Sequence, residues 1–462
     1  MTEHSKLWAC CGLTAAAFVV VPGVIKAASK SQRQPDKTVY EFGGPVGAYF
    51  TMLGMPGTVI FLCYAIGKDF VMSGADVRAL ARMPVPQLGE LVSAKAAAIC
   101  LGWFGFQVLL ERTLPGKVVE GTDLAPAGGQ GRLKYNINGH LAFWTSMGAL
   151  VMCGSRLSVL YDEFKALAGT ACMVSCGLST YLYATSFKDG ALLARGGNSG
   201  CPVYDFFIGR ELNPRIGNFD LKEFCELRPG LIGWVALNFG MMAKQYKNTG
   251  SVSGSMLVVN FLQGLYVWDA LYQEQAILST MDITTDGFGY MLAFGDLAWV
   301  PFTYSLQARY LVDHDPGLST SLLASIACAG LAGYANFRGA NSQKDKFRQD
   351  PLHPSVKDLE TMQVTNQLTG RPTKLLVSGW WGLARKINYT GDWLLSWCTS
   401  MTCGCPVVAT KGSILPYFYP IYFAALLIHR AGRDDHFCTE KYGEAWREYK
   451  KKVPYIFVPY MF

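Results

Sequence analysis

Ten apolar segments of near-membrane length constrain this chain more than any other feature of its sequence. Each comes close to the ~20 residues with which an α-helix crosses a bilayer. A water-soluble core of this size cannot bury so many apolar helices, so the sequence predicts an all-α, polytopic membrane protein with about ten transmembrane helices. The approximate segments are 46–66, 93–111, 139–160, 166–185, 230–245, 255–277, 287–308, 317–336, 375–401 and 413–430.

Composition points the same way. Half of the 462 residues are hydrophobic, and only 16% are charged. The net charge of +7 comes mostly from loops and from lysines near the C-terminus, at 450–452. Such a run is typical of a solvated cytosolic face near anionic lipid, and we expect no nucleic acid partner.

A further apolar stretch covers residues 7–25 and is followed by basic residues. No small-residue cleavage site follows it convincingly, so we interpret residues 1–38 as an uncleaved or variable N-terminal segment with a basic linker. The positive-inside rule places residues 26–38 on the cytosolic side. We expect no folded chromatin-binding domain before Tyr40.

The segment from Lys374 to Asp392 combines polar side chains with paired tryptophans. If it is helical, its spacings of four, three and four put Trp381, Arg385, Asn388 and Asp392 on one face, as in the wall of a binding site. The alternative is a helix at the membrane boundary, with a tryptophan belt and basic side chains that reach the interface.

The loop 195–229 alternates charges of both signs with aromatic residues. Charges arranged in this way can hold an irregular loop together through mutual hydrogen bonds. We expect that structural role. The alternative is that Arg210 or Arg215 reaches a ligand pocket.

Long motifs in a fixed order resemble the sterol reductase family. They include YEFGGPVGA at 40–48, KYNINGHLAFW at 134–144, GNSGCPVYDFFIGRELNPR within 197–234, GLYVWDALYQE at 264–274, TMDITTDGFGYMLAFGDLAW within 280–311, and LPYFYPIYFAALLIHRAGRDDHF within 415–455. The resemblance covers roughly residues 38–462. It is strongest to Δ14-sterol reductases, and the membrane domain of the lamin B receptor and the Δ7-sterol reductases are related.

The resemblance implies one reductase domain over residues 39–462, with substrate-side helices at about 230–336 and an NADPH-binding part at about 337–462. No GxGxxG motif lies between a strand and a helix, so a classical dinucleotide fold is not expected. No metal is expected. The resemblance implies a cytosolic-side NADPH pocket in the C-terminal half, formed by Lys344, Arg348, Leu376, Trp381, Asn388, Asp392, Arg430, Asp434, Tyr442 and Tyr449.

The expected reaction is reduction of the Δ14 double bond of a sterol intermediate. A hydride does not add to an isolated double bond unless a proton first makes one carbon cationic. We predict Tyr266 as the acid, assisted by Asp269, with Asp434 as the alternative donor. The sterol enters from the bilayer, membrane lipids are partners, and the protein lies in the endoplasmic reticulum membrane or the nuclear envelope continuous with it. The oligomeric state stays open.

One departure from the family concerns Lys386, where many members have histidine. A lysine keeps a positive donor but cannot accept a hydrogen bond near neutral pH. Three rival functions also stay open. They are a Δ7- or 24(28)-sterol reductase, an isoprenylcysteine-type membrane methyltransferase, and a receptor of the nuclear envelope without catalysis.

Overall fold

The computed structural model of the chain describes residues 40–67, 87–124, 129, 131–405 and 413–461. The predictions for residues 1–38 therefore lie outside the described residues. The chain divides into two compact units. The first contains residues up to 256 and 263–315, and the second contains 257–262 and 316 onwards.

Helices dominate both units. Those beginning in the first are α1 (Gly44–Ala65), α2 (Leu88–Leu91), α3 (Ala94–Thr113), α4 (Gly139–Cys153), α5 (Val159–Asp162), α6 (Phe164–Thr185), α7 (Pro202–Ile208), α8 (Leu221–Leu227), α9 (Pro229–Thr249), α10 (Gly254–Tyr272), α11 (Glu274–Ile277), α12 (Met281–Thr284), α13 (Tyr290–Phe294), α14 (Val300–Thr303) and α15 (Leu306–Leu311). The second unit contains α16 (Thr320–Gln349), α17 (Trp380–Leu383), α18 (Ile387–Met401), α19 (Phe418–Tyr442) and α20 (Glu444–Lys452).

The all-α prediction is confirmed only as a mostly helical fold, because three small antiparallel hairpins accompany the helices. These pair β1 (Lys117–Asp123) with β2 (Arg132–Ile137), β3 (Arg215–Ile216) with β4 (Phe219–Asp220), and β5 (Thr361–Thr365) with β6 (Pro372–Leu376). Short 3-10 turns occupy Gly154–Ser158 and Leu415–Tyr417.

Within the described residues, three segments are long and apolar enough to cross a bilayer: Gly44–Ala65, Gly89–Thr113 and Thr320–Gln349. The predicted count of ten is not confirmed. The predicted segment 287–308 is not one helix but is divided by a π turn at Gly295–Trp299. Pro301 helps to explain the break, because a proline has no amide hydrogen to continue the helical ladder.

Local signals in the sequence account for several helix boundaries. Serines cap three long helices, and each hydroxyl accepts a hydrogen bond from the amide three residues later, as is typical of this residue at an N-cap. They are Ser93 before α3, Ser253 before α10 and Ser319 before α16. Pro229 begins α9, and Gly250 ends it with φ of 76°.

A buried lysine holds the loop 195–229 against the segment that follows α11. Lys222 is fully buried, and its ammonium donates hydrogen bonds to the backbone oxygens of Asp282 (2.6 Å), Ile283 (3.0 Å) and Asp286 (2.8 Å). All three of its donors are thereby satisfied. Burial lowers the pKa of this ammonium to about 8, against the opposing effect of nearby carboxylates.

The same two segments also meet backbone to backbone. Gly209 has φ of 93°, and a Cβ added at Gly287 would lie 2.0 Å from the Gly209 carbonyl oxygen. Ion pairs then close the loop, between Arg215 and Asp220 at 3.0 Å and between Lys188 and Glu211 at 2.8 Å. These contacts agree with the structural role predicted for the charges of this loop.

Small residues allow α16 and α18 to pack closely in the second unit. A Cβ added at Gly391 would lie 2.5 Å from the carbonyl oxygen of Gly333, so larger residues would force these helices apart. Close approach at glycine is the usual means by which membrane helices gain packing contacts. These two helices carry four of the ten predicted nucleotide-binding residues, Lys344, Arg348, Asn388 and Asp392.

The prediction of one helical face through Lys374–Asp392 is wrong. The chain forms strand β6, a turn at Gly379 with φ of 64°, the short helix α17, and then α18. The amides of Arg385 and Lys386 donate to the carbonyl oxygens of Tyr455 and Ile456 (2.9 and 2.7 Å) instead of completing a helical turn. Carbonyl groups distant in the sequence therefore replace the acceptors that a continuous helix would have supplied.

Candidate active site

The predicted acid lies on α10 in the first unit. Tyr266 is half-buried, and Asp269, three residues later on the same helix, is buried. The Tyr266 ring packs against the indole of Trp234, with 5.9 Å between the centroids. Gln273 follows the last residue of α10, and its amide donates to the Asp269 carbonyl oxygen at 2.9 Å.

All ten residues predicted for the nucleotide pocket lie in the second unit. Four of the ten belong to two buried hydrophobic clusters. Leu376 and Trp381 belong to a buried cluster with Ala340, Ala384 and Ile387. Tyr442 and Tyr449 belong to another, which contains Val364, Trp446 and Val453.

A lysine lies over the face of a tryptophan beside the first cluster. The Lys344 ammonium is 4.3 Å from the ring of Trp381, within the range of a cation–π interaction. The indole is fixed because its Nε1 donates to the Ala340 carbonyl oxygen at 2.8 Å. Lys344 also experiences the charges of Arg348, Lys386 and Asp434, so several basic groups converge here around one carboxylate.

That carboxylate, Asp434 on α19, accepts a hydrogen bond from Lys386, and the Cys438 thiol lies 3.8 Å away. Burial alone raises the pKa of the Asp434 carboxyl. The charge and hydrogen bond of Lys386, together with the charge of Lys344, outweigh burial and hold the pKa below its usual range. Asp434 is therefore ionised at neutral pH and has no proton to donate in this state.

A buried amide adjoins these charges. Asn388 is 8% exposed, and its Nδ2 donates to Asn341 Oδ1 at 3.1 Å. Its Oδ1 is buried and has no hydrogen-bond partner among the residues that the structure describes. An unpaired buried amide oxygen is costly, so this atom is suited to accept a hydrogen bond from a ligand.

Helix α20 contributes a packed aromatic face. The ring of Trp446 stacks on that of Tyr449, with 4.8 Å between the centroids, and its Nε1 donates to Asp435 Oδ1 at 2.9 Å. Lys450 pairs with the same carboxylate at 3.2 Å. These contacts order α20 against α19, so the predicted tyrosines lie in a folded part of the protein.

Three predicted residues complete the set. Arg430 lies one helical turn before Asp434 on α19 and is half-buried. Asp392 is buried on α18, and Arg348 is exposed near the end of α16. The second unit therefore presents basic, amide and aromatic groups together, which is the donor set for a nucleotide with phosphates.

Comparison with known proteins identifies the family. A model of the Ergosterol biosynthesis ERG4/ERG24 family matches residues 36–462. The chain belongs to this family. It is 46% identical to Delta(14)-sterol reductase LBR of Gallus gallus, 45% identical to Delta(14)-sterol reductase TM7SF2 of Mus musculus and 42% identical to Delta(14)-sterol reductase erg24 of Schizosaccharomyces pombe.

Each alignment covers 94% of this chain. It covers the full length of the Mus musculus and Schizosaccharomyces pombe proteins, and 66% of the Gallus gallus protein, just under two thirds. The resemblance seen in the sequence motifs is thus confirmed. Membership in the ERG4/ERG24 family also agrees with the apolar helices of a membrane protein.

Several side chains that contact the candidate site residues were not predicted from the sequence. Gln343 Oε1 accepts a hydrogen bond from the Trp380 amide at 3.0 Å, and Asn341 pairs with Asn388. Cys438 follows Asp434 by four residues, a helical spacing that could have indicated contact. Nothing in the local sequence indicated the other pairs, because their partners are 37 or more residues apart.

Proposed function

We propose that this chain is a Δ14-sterol reductase that uses NADPH to reduce the carbon–carbon double bond of a sterol intermediate. The observation that carries the proposal is identity of 40–46% to several proteins named Delta(14)-sterol reductase, in alignments that cover 94% of the chain. Unrelated membrane proteins do not keep such similarity through both units.

Tyr266 donates the proton in the proposed reaction. A tyrosine phenol ordinarily keeps its proton at physiological pH, whereas Asp434 is already ionised. Proton transfer to one carbon of the double bond leaves the other carbon cationic. Asp269 supports the phenol from the next turn of α10, and the face of Trp234 is suited to stabilise positive charge.

NADPH supplies a hydride when it is bound. The second unit fits this group, because Lys344, Arg348 and Lys386 together carry more positive charge than Asp434 offsets, and the Asn388 oxygen lacks a partner in the described structure. Lys344, Arg348 and Lys386 bind phosphate, Asn388 accepts a hydrogen bond, and the aromatic clusters exclude water. Arg430, Asp392 and Asp434 complete the predicted pocket.

Replacement of Lys344 tests this assignment. Lys344→Met is expected to raise the KM for NADPH at least ~10-fold, because a charge-assisted hydrogen bond contributes roughly 1.5–3 kcal/mol. The KM for sterol should stay within about twofold. Lys346→Met is the matched control, since Lys346 lies two residues away and is exposed. Equal effects of the two variants on the NADPH KM would contradict a specific role for Lys344.

The proposed location is the endoplasmic reticulum membrane, with ten transmembrane helices and the nucleotide pocket on the cytosolic side. The lysines at the end of α20 and the cytosolic supply of NADPH support this orientation. A tag fused to the C-terminus should therefore be digested by protease in sealed microsomes. A luminal control epitope must stay protected. Protection of the tag as well would rule out a cytosolic pocket.

The direct test of function is complementation of a yeast strain that lacks Δ14-sterol reductase, with its sterols measured by mass spectrometry. Loss of the accumulated Δ14 sterol supports the proposal. Purified protein that reduces only a Δ7 or a 24(28) bond would instead assign a sister reductase. Binding of S-adenosylmethionine in place of NADPH would favour a methyltransferase, and binding without turnover would favour a receptor.

A further inference from the structure

A buried glutamine on α10 forms a hydrogen-bond hub close to the proposed acid. Gln263 is 1% exposed. Its Oε1 accepts hydrogen bonds from Trp234 Nε1 at 3.0 Å and from Asn238 Nδ2 at 2.6 Å. Its Nε2 donates to the Tyr304 carbonyl oxygen and to Gln307 Oε1, both at 3.1 Å.

The four bonds use the whole hydrogen-bonding capacity of the amide. They also fix its orientation. An indole N–H is only a donor, so the atom facing Trp234 must be oxygen, and a carbonyl is only an acceptor, so the atom facing Tyr304 must be nitrogen. The Gln263 side chain therefore has one arrangement that satisfies every partner.

The hub holds the ring that packs against the proposed acid. Trp234 is 1% exposed, and its indole packs against both Tyr304 and Tyr266, with centroid distances of 5.3 and 5.9 Å. Gln263 precedes Tyr266 by three residues, so both side chains lie on one face of α10. If the indole moved, the space available to the Tyr266 phenol would change, and with it the orientation of the phenol.

We propose that Gln263 is a positioning residue, which orients Trp234 and through it the phenol of Tyr266. All four hydrogen bonds of its buried amide are to protein groups, so the amide has none left for the sterol or the nucleotide. This inference rests on the proposed function, because the phenol has to point at the double bond to transfer its proton. Misplacement of a reacting group by about 1 Å can cost on the order of 100-fold in rate.

The test measures steady-state kinetics of Gln263→Leu, which keeps most of the volume and removes the four bonds. We expect kcat to fall ~10- to 100-fold, while the KM values for sterol and NADPH change by less than about threefold. Gln263→Glu retains an acceptor oxygen for Trp234 and, when protonated, one donor, so it should recover part of kcat. Trp234→Phe removes only the indole donor and part of the ring.

Coupling between the residues distinguishes positioning from general damage. If Gln263 acts through Trp234, the double variant Gln263→Leu/Trp234→Phe loses little more kcat than the worse single variant. Gln245→Leu is the matched control. Gln245 is also buried, at 3% exposed, and it bonds to the Leu311 carbonyl oxygen and to Ser253, away from Tyr266. Its loss should lower stability and leave kcat near wild type.

Two outcomes would overturn the inference. One is a kcat of Gln263→Leu no lower than that of Gln245→Leu at equal folded fraction. The other is fully additive losses in the double variant. If Gln263→Leu does not fold, Trp234→Phe and Gln263→Glu supply the same comparison. Wild-type protein that reduces no sterol would overturn the proposed function as well, whereas an active wild type with an unaffected Gln263→Leu overturns this inference alone.

Discussion

Tyr266→Phe should lower kcat by ~100-fold or more and leave sterol affinity unchanged, which is the usual effect of removing a general acid. The substitution keeps the ring that packs on Trp234 and deletes only the hydroxyl. Tyr272→Phe is a matched control on the same helix, because Tyr272 is 58% exposed and stacks on Trp268. Its kcat should stay within about twofold of wild type.

Replacement of Asp434, the alternative proton donor, is expected to give a different result from Tyr266→Phe. Asp434→Asn removes the ion pair with Lys386 and its negative charge from the basic cluster. Because the ionised Asp434 holds the Lys386 ammonium in place, we expect this variant to change NADPH binding and not the proton transfer. Near-normal turnover in Tyr266→Phe, with Asp434→Asn inactive yet still able to bind NADPH, would transfer the acid role to Asp434.

Local sequence was a good guide to helices and a poor guide to tertiary partners. Serine caps, apolar segments and the three-residue spacing of Tyr266 and Asp269 depend on neighbours in the chain, and the structure has these helices. The break in Lys374–Asp392 depends on carbonyl groups near residue 455, about 70 positions away. Periodicity alone cannot reveal such a partner, so the shared helical face was wrong.

In the candidate site too, the sequence predicted the residues but not the contacts between them. Family motifs indicated Lys344, Trp381 and Asn388, but they did not indicate that Lys344 lies over the Trp381 ring or that Lys386 pairs with Asp434. Those contacts join segments distant in the sequence, and the contact with Lys386 holds the pKa of Asp434 below its usual range. The Gln263 hub is hidden for the same reason, because its partners come from α9 and from residues 304 and 307.

A buried ion pair in the first unit leads to the largest expected loss of stability. Arg228 and Glu274 are 2.7 Å apart, and both side chains are 0% exposed. Arg228 also donates to Asn138 Oδ1, and Glu274 accepts from the Gly139 amide at 2.7 Å. Burial raises the pKa of the nearby Glu223 carboxyl well above its usual range, despite the Arg228 charge. Glu274, at 2.7 Å from Arg228 against 4.0 Å for Glu223, is therefore the nearest counter-charge of Arg228.

Glu274→Leu should destabilise the protein by roughly 3–5 kcal/mol, because it leaves the buried guanidinium without a counter-charge. Arg228→Met/Glu274→Leu removes both charges and should recover most of that loss, since a buried pair often costs as much in desolvation as it returns. Thermal unfolding in detergent measures both variants. Glu444→Leu, which breaks the exposed pair with Arg447, is the control and should leave the midpoint unchanged. A double variant less stable than Glu274→Leu would show that the pair itself, and not the uncompensated charge, determines stability here.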